Sequence, residues 1–123
     1  MVRFLNPGEN QVKVRFLAAD PSTIYLCAVV KAELFFGAMK SSRVHKNIAL
    51  LDELFANFES LSFDDDAARR YGEIRSDLVR KGTPIGPNDL LISAIASVHD
   101  AILVTHNTRE FGRITDLKIE DWK

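Results

Sequence analysis

The chain has 123 residues, 46% of them hydrophobic and 27% charged, with 16 Lys+Arg against 17 Asp+Glu. That length suits one domain of ordinary size, able to bury about two-thirds of the surface its unfolded chain exposes, and is too short for two. A formal charge of −1 excludes a disordered acidic or basic tail and a whole-surface nucleic-acid binder, while leaving room for a local basic groove.

The elements read as helices alternating with short apolar runs. Pro7-Gly8-Glu9-Asn10 is turn chemistry, and Val12, Phe16 and Ala19 then recur at helical spacing until Asp20-Pro21-Ser22 stops the helix. Ile24 to Val29 is a continuous apolar run, as expected of a strand covered on both faces. The single Cys27 sits in this run and reads as a buried thiol; alone, it excludes a disulfide framework and a Cys-rich zinc site. Lys31 to Met39 reads as a helix broken by Ser41-Ser42. Val44, Ile48, Leu51, Phe55 and Phe58 then give an amphipathic helix.

Leu61-Ser62-Phe63 is a short strand candidate, and Asp64 is placed to cap a helix carrying Ala67, Tyr71, Ile74 and Leu78. The loop Gly82-Thr83-Pro84-Ile85-Gly86-Pro87 leads into a helix from Asn88 whose buried face is Leu91, Ala94, Ile95 and Val98. Ala101 to Thr105 is another apolar strand, and Leu117 to Trp122 an alternating one. No apolar run approaches the ~20 residues of a membrane helix, and the first residues lack the apolar core and cleavage site of a signal peptide. A cytoplasmic protein without membrane contact is expected.

Strands alternating with helices imply an α/β fold with a mainly parallel sheet. Sites in such sheets form beyond the carboxyl ends of the strands, which points to the loops at 29–33, 86–89 and 105–110. Glu33 and Asp89 each read as an acid near a helix start, where the helix dipole alone is reason enough for a carboxylate. Together they could converge at one sheet edge. Paired carboxylates with oxygen ligands are what Mg²⁺ or Mn²⁺ requires, and such an ion can activate water for attack on a phosphodiester.

The motifs carry a family resemblance. Val29-Val30-Lys31-Ala32-Glu33-Leu34-Phe35-Phe36-Gly37 resembles the second acidic motif of the PIN-domain ribonuclease toxins of the VapC type. Gly82-Thr83-Pro84-Ile85-Gly86-Pro87-Asn88-Asp89-Leu90-Leu91-Ile92 is similar to their third. Leu103-Val104-Thr105-His106-Asn107-Thr108-Arg109-Glu110-Phe111 and Ile119-Glu120-Asp121-Trp122 complete the pattern. The resemblance covers essentially the whole chain as a single domain, 1–123. It implies a three-layer PIN-like fold and a Mg²⁺-dependent endoribonuclease acting on RNA. It also implies a cognate antitoxin and a homodimer. Glu33 and Asp89 would be catalytic metal carboxylates and Asn107 a neutral metal ligand, with Thr105, Asn88 and Arg109 as supporting or RNA-binding groups.

The front of the chain departs from the pattern. Family members begin with a strand ending in Asp-Thr/Ser-Asn, whereas Arg3-Phe4-Leu5-Asn6-Pro7 resembles the stretch just past that motif. The first central strand and its Asp are therefore expected to be missing, which would leave two unpaired strand edges at about 1–3 kcal/mol per buried backbone group. Impaired catalysis and poor stability are the resulting expectations. The alternative is a catalytically inactive module that docks an antitoxin or a sister subunit, using the apolar faces at Val12/Phe16 and Val44 to Phe58.

Among the other polar residues, Asp64-Asp65-Asp66 reads as a cap plus first-turn acids, because consecutive helical positions point apart. His45, His99 and His106 show no metal spacing. Arg69-Arg70 and Arg80-Lys81 read as solvated faces, while Lys31, Arg109 and Arg113 are candidates for phosphate contacts. Glu110 is either an extra site acid or, slightly favoured, a surface partner for an arginine. Trp122 reads as packing at the domain's end.

Overall fold

The computed structural model describes residues 3–5, 24–105 and 107–121. In chain order the elements are β1 (Arg3–Leu5), β2 (Ile24–Cys27), α1 (Ala28–Met39), α2 (Val44–Phe55), β3 (Glu59–Leu61), α3 (Asp65–Arg80), α4 (Pro87–Val98), β4 (Ile102–Val104), α5 (Thr108–Phe111) and β5 (Lys118–Glu120). The strands form a parallel five-stranded sheet in the order β3-β2-β1-β4-β5. The helix expected around Val12, Phe16 and Ala19 lies outside the described residues, as do His106 and Trp122.

The centre of the sheet overturns one expectation. Arg3–Leu5 fills the position expected to be empty: Arg3 and Phe4 pair with Ile24 and Tyr25 on one side, and Arg3, Phe4 and Leu5 with Ile102, Leu103 and Val104 on the other. The physical reason is the demand of the neighbours. Two buried strands with free ladder groups favour any extended segment that can satisfy them, whatever its own propensity. The penalty of two unpaired edges therefore does not arise.

Strand alternation divides the core into two clusters. Leu26 and Val104 join the α2 side with Phe55, Leu51, Leu54 and Phe58, where Phe35 meets Phe55 edge-on at 5.3 Å. Cys27 and Leu103 join the larger cluster with Ile74, Leu78, Ile92, Ile95 and Phe111 from α3, α4 and α5. Leu34 of α1 packs against both. Cys27 is fully buried, and burial pushes its thiol pKa up, as expected of a packing residue.

Two boundaries differ from the sequence expectation. The run read as a strand to Val29 ends at Cys27, and α1 begins at once with Ala28, because Val30 packs into the core as a helical residue. The strand read at Leu61–Phe63 is Glu59–Leu61, paired with Tyr25–Cys27. Asp64 does cap α3: its Oδ1 accepts from the Ala67 amide at 2.9 Å, with Asp65 and Asp66 in the first turn. Among the described residues no helix is long and apolar enough to cross a membrane.

Candidate active site

The site lies where β2 and β4 hand the chain to α1 and α5, beside the first turn of α4. Gly86 precedes α4, and Pro87 takes its first position, where a missing N–H costs nothing. Asn88 and Asp89 come next. Glu33 is the sixth residue of α1, not its first-turn acid. The helix-dipole reading of Glu33 therefore fails, because that effect fades within the first turn.

The starts of α4 and α5 and the side of α1 converge through side-chain hydrogen bonds. Asn88 Nδ2 donates to Glu33 Oε1 at 2.7 Å, joining α4 to α1 across 55 residues of chain. Asn107 Nδ2 donates to Asp89 Oδ2 at 3.3 Å and to Glu110 Oε2 at 2.7 Å. Its Oδ1 caps α5 by accepting from the Glu110 amide at 3.5 Å. The buried Thr105 holds this corner from below, its Oγ1 accepting from the Asn107 amide at 3.1 Å.

Charge in this corner is one-sided. Asp89 is pushed up to about 7, first by desolvation, then by its hydrogen bond with Glu110 and by the charges of Glu110 and Glu33; Asn107 opposes this. Glu110 is held below the usual carboxylate range by its bonds with Asp89 and Asn107. Within this pair Asp89 is the acid that holds a proton more readily, and Glu110 the one that keeps its charge.

Of the residues singled out in the sequence, the structure brings Glu33, Asp89, Asn88 and Asn107 into one constellation. Asn107 presents its amide nitrogen to the acids and spends its oxygen on the cap. Thr105 is too buried to meet a ligand and acts as a support. Arg109 is exposed on α5. Lys31, a candidate phosphate contact, lies over the Phe55 ring at 5.1 Å. Arg113 Nη1 is bonded to the Pro84 carbonyl at 3.1 Å.

For Glu110 both readings hold in part: the charge of Arg113 helps keep it below the usual carboxylate range, as an arginine partner would. It also meets the site residues, with its Oε2 accepting from Asn107 and its Oε1 from the Gly86 amide at 3.3 Å. The signal in the sequence is its spacing from Asn107, which places both side chains on one face of a short turn.

With this geometry in view, comparison with known proteins is decisive. The PIN domain family matches residues 1–117. This chain is a PIN domain. It is 40% identical over 103 residues to the "tRNA(fMet)-specific endonuclease VapC" of Salmonella typhimurium, covering 84% of this chain and 78% of that protein. It is 41% identical over 106 residues to "Ribonuclease VapC2" of Rickettsia felis, covering 86% and 79%. Among solved structures, the DNA-bound VapBC of Salmonella typhimurium matches this PIN domain with a TM-score of 0.86 at 34% identity, covering 100% of both chains. The chain therefore belongs to the VapC ribonuclease toxins within the PIN family, and its parallel α/β sheet is the fold the resemblance implied.

Proposed function

We propose that this chain is a divalent-metal-dependent endoribonuclease toxin that hydrolyses RNA phosphodiesters and is restrained by a cognate antitoxin. The observation that carries the reading is the meeting of Glu33 and Asp89, from α1 and α4, beyond the carboxyl ends of the strands. The relatives, VapC ribonucleases and VapBC complexes, support the substrate class and the partner. A homodimer and action in the cytoplasm belong to the same reading.

The donor set fits Mg²⁺ or Mn²⁺. It consists of carboxylate and amide oxygens, and crowding of acids raises Asp89 to about 7, a strain that a cation would relieve. Among the described residues no three His, Cys, Asp or Glu side chains form a ready cage. Mg²⁺ keeps several waters and commonly uses one or two carboxylates plus substrate phosphate. Glu33 and Asp89 would hold the ion, with Asn107 as a neutral ligand once its carbonyl oxygen turns inward. A bound ion supplies charge neutralisation at the phosphate and a more acidic water.

The chain's own residues do the rest. Asn88 fixes the Glu33 carboxylate, and Glu110 keeps its charge while Asp89 holds a proton more readily. Arg109, exposed beside the site, contacts a phosphate oxygen and positions the strand. Glu33 and Asp89 are the two carboxylates that carry the ion.

A second reading, a binding module without turnover, is favoured by Asn107, whose oxygen caps α5 and is turned away from a cation. RNA cleavage by the purified chain, with Mg²⁺ and with chelator, separates them. Metal-dependent cleavage that disappears in Glu33→Gln and Asp89→Asn supports the enzyme. Cleavage surviving both substitutions overturns the assignment, and no cleavage by the parent chain favours the binding module.

A further inference from the structure

We propose that Arg113 is a positioning residue of this site, acting through a two-armed clamp on the loop that aims Asn88 and Asp89. This rests on the reading of Glu33 and Asp89 as a cation site. One arm is the bond from Arg113 Nη1 to the Pro84 carbonyl, 3.1 Å. The other is the bond from the Gly86 amide to Glu110 Oε1, 3.3 Å. The arms complement each other: a cation meets a carbonyl, and a carboxylate meets an amide. Both start from a single turn of chain, in which the Arg113 amide donates to the Glu110 carbonyl at 3.1 Å.

The loop needs outside support. Pro84 and Pro87 have no N–H to donate, so much of the segment's fixation must come from partners elsewhere. Its apolar side is already fixed, because Ile85 packs in the same buried cluster as Phe111 and Ile114, the residues flanking the clamp. The polar arms therefore set the last freedom of the loop, its tilt over that floor. Its tilt matters because α4 starts directly from it: the Leu90 amide bonds back to the Gly86 carbonyl at 3.0 Å. Asn88, which holds Glu33, and Asp89 both lie in this first turn. Arg113 would thus act on the carboxylates through the loop, without itself meeting the reacting phosphate.

The test compares Arg113→Ala and Arg113→Lys in the full chain, reading amide hydrogen exchange at Gly86 and Leu90 and the Mn²⁺ dissociation constant. Loss of one charge-assisted bond is expected to speed exchange at Gly86 by about tenfold in Arg113→Ala and to weaken Mn²⁺ binding roughly threefold or more. Arg113→Lys keeps one donor within reach of the carbonyl and recovers most of both. Parent-like exchange and affinity in Arg113→Ala overturn the proposal, as does a Lys variant no better than Ala. Should Arg113→Ala fail to fold, Arg113→Gln carries the same comparison. Absence of Mn²⁺ binding by the parent chain would sink the cation reading separately, and the exchange result still judges the clamp.

Discussion

The coupling of Asp89 to Glu110 gives a stability prediction that needs no metal. Asp89 in the folded chain titrates at about 7, against an ordinary value of 3.8. A folded acid with a raised pKa holds its proton where the unfolded chain has released it. Its favourable contribution is complete below about 3.8 and is lost as pH rises through about 7. Asp89→Asn keeps a neutral side chain of the same shape at every pH. The whole rise, taken alone, would correspond to about 4 kcal/mol. The carboxyl is only partly buried and Glu110 shifts the opposite way, so solvent screening and coupling reduce the net to about 1 kcal/mol.

The assay is thermal unfolding of both proteins in chelator from pH 5 to pH 8. The Asn variant should gain on the parent as pH rises, ending about 3–5 °C ahead at pH 8. A constant difference across the range would refute the reasoning, and a parent that gains on the variant with rising pH would reverse its sign.

Two further outcomes test the scaffold. Asp64→Ala removes the oxygen that accepts from the Ala67 amide at 2.9 Å, and should cost about 1 kcal/mol in urea unfolding, with little effect on the distant site. Leu78→Ala empties a side chain that is 1% exposed between α3 and the core, and should cost about 2–5 kcal/mol by the same measurement, enough to leave little folded chain.

What can be read from the sequence is what local chemistry decides. Asp64 announces the start of α3, because a short acid before a helical stretch has one good use for its oxygen. Pro87 fixes the start of α4, and the alternation of apolar runs with helices fixes the parallel sheet. Features decided by distant neighbours stay hidden. Val29 is β-branched and reads as the end of a strand, yet packing puts it in the first turn of α1. Arg3–Leu5 has no strand signature of its own and takes the sheet centre through the demands of β2 and β4.

The candidate site divides along the same line. Glu33, Asp89 and Asn107 stand in motifs with recognisable spacing, so their meeting is foreseeable. Glu110 stands between two readings in its sequence, arginine partner and site acid, because its bond to Gly86 crosses 24 residues that sequence spacing cannot measure. Arg113 looks like a phosphate contact, since a free guanidinium and one bonded to a carbonyl have the same letter in a sequence.

The central claim is that Glu33 and Asp89 together hold a divalent cation. It is tested most directly by Mn²⁺ electron paramagnetic resonance, in which bound ion loses the sharp signal of free ion. The account predicts one Mn²⁺ bound per chain, with the free signal restored in Glu33→Gln and in Asp89→Asn. Full Mn²⁺ binding by either folded variant would contradict it.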